Sequence, residues 1–553
     1  MKTLLYSFFC VFLGLLSVGC GGGGKAPAAK EHKTVFRYNE AAGISTLDPA
    51  FARDQAIIWA VHQIYDGLVQ LDDTLRVQPA IAKSWKVDKK GLQYTFTLRN
   101  DVYFHDSPVF PGGIGRKVVA SDFVYSFNRI VDDRVASPGL WVFQNIERDA
   151  EGHLSGLVAM NDSTLKITLS KSYPPFLGML SMPYCYVVPR EAVEKYGSEF
   201  GRNPVGTGPF YFKLWKDGMR LVLHRNPSYF ETDSAGNRLP YLDAVAISFI
   251  KDKQIAYMEF LKGNFDFLSG VEASYKDELL TLDGRLRNKF SDRFYMLTTP
   301  YLNTEYLGFL MDTTFEAGRT SPFRNKKVRQ AMNYGFNRRK MIKYLRNNIG
   351  TPGEGGFIPK GLPGYISDST AGYTYDPVKA ARLLVEAGYP GGKGLPVIRL
   401  STTGSYLNLC EAMQNELGEI GVDIKLEVNT SATHREMVSK SKLAFFRGSW
   451  IADYTDAENY LALFYSKNFS PHGPNYTHFS NPRFDALYER ALQEVNETKR
   501  VEMYKEMDRI LIEEAPVIVL YYDQVVRMVS RQVQNLGCNP MNLLTLKQAK
   551  VVE

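Results

Sequence analysis

The chain has 553 residues, 44% hydrophobic and 23% charged, with 66 Lys+Arg against 59 Asp+Glu and a formal net charge of +7. That length accommodates about two to four domains, and the apolar share suffices for buried cores, which excludes wholesale disorder. Five cysteines exclude a disulfide-stapled scaffold, and so mild a charge excess does not by itself mark a nucleic-acid protein.

Residues 1–20 read MKTLLYSFFCVFLGLLSVGC, with one charge at Lys2 and an apolar run from Leu4 to Val18 before Gly19 and Cys20. A charged start, an apolar middle and small residues at the end predict a secretory signal peptide over 1–19. The run is about 15 residues, short of the ~20 that a spanning helix needs. No later charge-free stretch reaches the ~20 residues of a spanning helix, so no transmembrane helix is expected in the mature chain. Leu15 to Cys20 resembles a bacterial lipobox, in which the cysteine is lipidated and becomes the new N-terminus. The usual Leu three places before the cysteine is Ser17 here, and Leu16 sits one further back. The alternative is a plain signal peptide with an incidental cysteine. Two or three acyl chains, at about 0.8 kcal/mol per buried CH₂, hold a protein durably at a membrane. Gly21 to Pro27 has a tether composition, so lipidated Cys20 and a flexible tether are assigned to 20–35. Cys185, Cys410 and Cys538 remain. With no CxxC and no Cys/His cluster, redox and zinc roles lack support.

Further along, Leu92, Tyr94, Phe96 and Leu98 alternate, as do Leu165, Ile167 and Leu169, and both read as half-buried strands. Asp217-Gly218 marks a turn, with Met219 to Leu223 as the return strand of a hairpin. Arg324 to Arg346 holds nine Lys/Arg and no Asp/Glu. It could bind phosphate or an acidic membrane surface. The plainer reading is a solvated helix face, because Val328, Ala331, Met332 and Gly335 fall at core spacing. Asp376-Pro377 starts a helix, with Asp as cap and Pro at the first position. Val378, Ala381, Leu384 and Val385 form its buried stripe and Gly388 ends it. Leu409, Met413, Leu417 and Ile420 mark another helix, closed by Gly421. Asn481-Pro482 opens a third, with Phe484, Leu487, Tyr488, Ala491, Leu492 and Val495 on one side. Thr498 is expected to cap a fourth, carrying Val501, Tyr504, Ile510 and Leu511. Strand-rich and helix-rich parts intermingle, so the domains are expected to be discontinuous in sequence. HExxH, GxSxG and GxxxxGK[ST] are all missing, and the eight histidines are scattered. No catalytic residue, cofactor or metal site is assigned, and the chain is not read as an enzyme.

A set of short segments carries a resemblance. They include Leu47-Asp48-Pro49, Ile64 to Leu68 (IYDGL), Pro79 to Trp85 (PAIAKSW), Tyr94 to Arg99 (YTFTLR) and Ala120 to Ser126 (ASDFVYS). Gly206 to Phe210 (GTGPF), Arg225-Asn226-Pro227, Pro322 to Asn325 (PFRN), Leu383 to Tyr389 (LLVEAGY) and Trp450 to Tyr454 (WIADY) follow. In this order and spacing, the chain from about Phe36 onward resembles the family 5 extracellular solute-binding proteins of ABC transporters, which include dipeptide and oligopeptide binders. The resemblance implies an α/β, two-lobed periplasmic-binding-protein fold (type II, large), with an additional inserted domain and a hinge that closes on ligand. One lobe would combine 36–65, 190–298 and 522–553; the extra domain would be 66–189 and the second lobe 299–521.

Within that family the segment Arg447 to Tyr454 (RGSWIADY) would define the ligand. A buried peptide needs a carboxylate for its α-ammonium, an extended edge for its backbone and a cation, ideally the planar fork of Arg, for its carboxylate. By resemblance Asp453 grips the α-amino group, Arg447 meets the carboxylate of a short peptide, Ser449 to Ile451 pair with the ligand backbone and Trp450 walls a side-chain pocket. Tyr306 matches a ligand-facing aromatic, and Trp141 lies near another. The alternatives are an internal Asp–Arg salt bridge and an ordinary core Trp. Asn333 and Asn408 stand where well-known oligopeptide binders carry further cations, and Ile451 replaces a cysteine that in some members bonds to a position near Asn303.

The expectation is therefore a lipid-anchored, extracytoplasmic protein of the periplasm or cell surface. It would capture short peptides and deliver them to the permease subunits of an ABC importer and their ATPase subunits. A monomer is expected, and no nucleic-acid binding. The runner-up is a same-fold binder of an oligosaccharide, metal chelate, haem or opine. A secreted hydrolase and a surface adhesin or receptor are the competitors from other classes.

Overall fold

Two long strands organise the chain. Phe294–Phe309 and Val517–Ser530 pair antiparallel along most of their length. The second half of the first strand is buried on both faces, and its polar residues Asn303, Thr304 and Glu305 are hydrogen-bonded there. Pro300 cannot donate to the ladder, and the register shifts between Pro300 and Thr304.

The structure, a computed structural model, describes residues 33–368 and 371–552. The expected signal segment, Cys20 and the tether up to residue 32 lie outside the described residues. The two long strands sit inside an 11-stranded sheet. On one flank come Phe445–Ile451, Ile398–Thr403 and Ile424–Asn429; on the other come Phe267–Ser269, Val35–Asn39, Ala244–Ser248, Arg220–Arg225 and Phe210–Lys216. The short strand Thr351–Pro352 pairs with Val517–Ser530 off this path. A separate four-stranded antiparallel sheet runs Ala82–Val87, Gln93–Leu98, Thr164–Thr168, Leu157–Asn161. Helix Ala120–Ile130 packs on it, burying Phe123, Phe127 and Ile130 at the i, i+4, i+7 spacing of one helix face.

Several expected elements are present. Tyr94, Phe96 and Leu98 are buried on alternate positions of their strand, as are Leu165 and Ile167. Phe210–Lys216 and Arg220–Arg225 form the hairpin, turning at Gly218 with φ 62°. Exposed Met219 belongs to the turn, not to the strand.

Helix Pro377–Glu386 has the expected Asp376 cap, but its buried stripe is different. Val378, Ala381 and Val385 face solvent, while Ala380 and Leu384 are buried. Two contacts set this phase: Asp376 N donates to the Tyr334 carbonyl, and Lys379 Nζ reaches the Tyr334 hydroxyl at 2.7 Å. They roll the helix so that Ala380 meets helix Lys326–Tyr334. The fourth helix, Glu497–Glu514, is capped by Asn496 rather than Thr498. Helix Pro482–Ala491 ends before Val495, which is exposed.

The basic run forms two helices, Lys326–Tyr334 and Arg338–Arg346, and is not simply a solvated face. Arg329 and Arg338 are buried and donate to main-chain carbonyls, Arg329 to Phe323 and Glu514, and Arg338 to Val519 and Asn333. Burial pushes both guanidinium groups down to about 10. Asn333 is part of this frame, donating to the Val517 carbonyl and accepting from Arg338. Cys185, Cys410 and Cys538 are free thiols. Among the described residues no helix is long and apolar enough to cross a membrane.

Candidate ligand-binding site

The strand Phe445–Ile451 is half covered. On one side it pairs antiparallel with Phe294–Phe309, from Asn303 opposite Ile451 to Phe309 opposite Phe445. On the other it pairs with Ile398–Thr403 only at Phe445 and Phe446. In an antiparallel pair, successive residues turn their backbone groups to opposite sides. Ala452 N donates to Leu302 O at 2.9 Å, so Ala452, Trp450 and Gly448 face the partner strand. Arg447, Ser449 and Ile451 therefore turn N–H and C=O outward. His434 Nε2 binds the Arg447 carbonyl at 2.8 Å. Among the described residues no strand pairs with Ser449 or Ile451 on that side.

Side chains alternate with the same period. Phe446, Gly448 and Trp450 share a face with Tyr306, and a Cβ on Gly448 would come within 2.3 Å of the Tyr306 ring. Tyr306 is buried, edge-on to Phe357 at 5.1 Å, and lies in the core behind the strand rather than in a cavity wall. Arg447 and Ser449 point to the opposite face, where Glu305 is buried. Arg447 pairs with Glu305, and its guanidinium lies 3.4 Å from the Tyr406 ring centroid. Glu305 also accepts from Ser449 Oγ at 3.0 Å and Asn303 Nδ2 at 3.1 Å. Arg447 thus holds an internal acid instead of standing free for a ligand carboxylate.

Beyond the strand end, Asp456 accepts from the N–H of Glu458 and starts the turn Glu458–Leu461. That turn carries Asn459, which ties three groups together. Its Oδ1 accepts from Trp450 Nε1 at 2.9 Å and from Asp453 N at 3.2 Å, and its Nδ2 donates to Asp453 Oδ2 at 3.2 Å. Asp453 and Trp450 line a cavity of about 640 Å³, within the roughly 300–1,000 Å³ of small-molecule sites. One wall is Trp141, Gln144, Asn145, Lys171, Ser172 and Tyr173; the other comes from residues 450–493 and includes Tyr454, Glu458, Tyr465 and Tyr488.

The Asp453 carboxylate is open to this cavity, yet protein crowds it from behind. Desolvation raises its pKa, and the Asn459 hydrogen bond only partly opposes that. Among the described residues it has no cation partner. Glu458 is a different kind of acid. It is buried and accepts from the hydroxyls of Tyr173, Tyr454 and Tyr488, with Tyr173 at 2.9 Å. Burial raises its pKa as well. Trp141 lies 5.9 Å from the Tyr454 ring. The Tyr173–Glu458 bond links the two walls.

The structure thus brings Asp453, Trp450 and Trp141 into one cavity and exposes the outer edge of Ser449 and Ile451. It leaves Arg447 and Tyr306 elsewhere. Ile451 and Asn303 are direct cross-strand partners, which places the expected position of the missing disulfide. Sequence reading missed Lys171, Tyr173, Glu458 and Asn459. Glu458 and Asn459 follow Asp453 closely enough to be suspected; nothing local marks Lys171 or Tyr173.

The profile of bacterial extracellular solute-binding proteins, family 5 Middle, matches residues 76–471. Heme-binding protein A of Haemophilus influenzae is 29% identical over 472 residues, 82% of this chain and 81% of its own length. Glutathione-binding protein GsiB of Salmonella typhimurium is 26% identical over 503 residues, 90% of each chain. Among solved structures, the ABC transporter-associated periplasmic binding protein DppA from Helicobacter pylori, in complex with the peptide STSA, superposes with a TM-score of 0.74 at 24% identity. That match covers 94% of this chain and 98% of the other.

Proposed function

Because the chain belongs to the bacterial extracellular solute-binding proteins of family 5, we propose that it captures short peptides by their free N-terminus and passes them to the permease of an ABC importer. Its place is extracytoplasmic, on a lipidated Cys20. The lobes are 36–65 with 190–298 and 522–553, and 299–521; the extra domain is 66–189. No covalent chemistry is assigned to it. The observation that carries this reading is Asp453: an acid with no cation partner among the described residues, open to a cavity and oriented by Asn459. Beside it run the outward amides and carbonyls of Ser449 and Ile451, an edge of the kind that adds an extended peptide as a further strand. Trp450 and Trp141 offer broad apolar walls for a side chain. The relative named for glutathione supports an α-amine ligand, since glutathione is a tripeptide with a free α-ammonium. The relative named for heme keeps a non-peptide solute as the second reading, which the aromatic lining also suits.

Calorimetry with a short peptide and its N-acetylated form tests this. The acetylated form is expected to lose most of its affinity. Asp453→Asn is expected to cost about 2–5 kcal/mol for the free peptide, because it leaves an ammonium facing a neutral amide. Equal binding of both forms would favour the second reading.

A further inference from the structure

We infer that Lys171 is the group that reads the ligand's carboxylate, so that the cavity selects a zwitterion. This rests on the peptide reading above and deepens it. Among the residues that line the cavity, Lys171 is the only cation. It is exposed and makes no ion pair or hydrogen bond among the described residues. The acids around it are accounted for differently. Glu489 is neutralised by Lys467 at 2.7 Å. Glu458 is closed off by three phenol hydroxyls. That leaves one free negative charge, Asp453, and one free positive charge, Lys171, which do not pair with each other.

The two arise on opposite walls. Lys171 comes from the segment just after strand Thr164–Thr168, and Asp453 comes just after strand Phe445–Ile451. The segment that carries Lys171 is tied to the opposite wall two places on, where the Tyr173 hydroxyl bonds both Glu458, at 2.9 Å, and Tyr454, at 3.1 Å. The remaining polar side chains of the lining without a hydrogen-bond partner among the described residues, Gln144, Asn145, Ser172 and Gln493, are neutral, so they can orient a carboxylate but not select for its charge. Arg447, the other candidate cation, is bound to Glu305 on the opposite face of the strand. A ligand carrying an ammonium at one end and a carboxylate at the other satisfies both free charges at once. A C-terminally blocked peptide leaves Lys171 unpaired.

The test is calorimetry of the purified protein with di-, tri- and tetra-alanine, each as the free acid, the C-terminal amide and the N-acetyl derivative. Wild type is expected to bind the free acid more tightly than the amide, an advantage that shrinks as salt rises. Lys171→Met should weaken the acid about fivefold, the upper end for a solvent-exposed pair, and leave the amide unchanged. Lys171→Glu should invert the acid-to-amide preference, which loss of a merely structural lysine would not do. An acid-to-amide ratio unchanged in both variants overturns the role of Lys171. If, in that case, N-acetylation still abolishes wild-type binding, the peptide reading survives without it. Failure of every alanine peptide to bind wild type overturns both.

Discussion

At the scale of single residues, the site rests on how differently two nearby carboxylates are treated. Glu458 has three phenols as permanent partners, so it is a fixture of the wall. Asp453 has one amide partner and an open side. The same desolvation that raises its pKa makes a ligand cation welcome there. The sign of the pH dependence follows. Asp453 attracts an ammonium only when ionised, and its pKa is raised, so affinity should fall as the pH drops through that raised value. The fall should begin at a higher pH than for an ordinary aspartate. Titrating affinity against pH in wild type and Asp453→Asn checks this, because the variant should lack that step; identical profiles would remove Asp453 from the site. Asp453 could be named from the sequence because its motif is local. The partner of Arg447 could not, because Glu305 lies 142 positions away and meets it only through strand register.

At the scale of elements, strand Phe445–Ile451 does two jobs along its length. Phe445 and Phe446 are locked between two neighbours, whereas Ser449 and Ile451 keep a free edge. Ile451→Pro removes one outward N–H from a half-exposed position without touching the ladder to Phe294–Phe309, and edge strands tolerate proline. Peptide affinity should drop by about 1 kcal/mol, the net worth of one hydrogen bond, with the melting temperature little changed. Unaltered affinity would mean that the ligand backbone does not use this edge. Helix Pro377–Glu386 marks what periodicity can and cannot give. Its start was legible in Asp376-Pro377, since a cap acts on its own helix. Its buried face was not, because Val378-Ala381-Val385 and Ala380-Leu384 are both acceptable 3.6-residue stripes. Tyr334, over 40 residues earlier, decides between them. The basic run misled for a related reason: counting charges does not reveal that Arg329 and Arg338 are spent on buried carbonyls.

At the scale of the whole molecule, the cavity walls come from residues 141–173 and 450–493, separated by nearly 300 positions. The chain crosses between the flanks of its large sheet through Phe294–Phe309 and Val517–Ser530, with a register shift near Pro300. Mixed α/β content was legible from intermingled strand and helix patterns. Which segments would face each other was not, because a wall built from distant loops leaves no periodic trace. Only the family pattern pointed to 447–454, and it said nothing of Lys171 or Tyr173. The most direct test of peptide capture is native mass spectrometry of the protein as purified, followed by denaturation and sequencing of whatever is released. A mixture of short peptides with unblocked N-termini is the predicted result. A single non-peptide mass would contradict it and return Asp453 to a purely structural place in the wall.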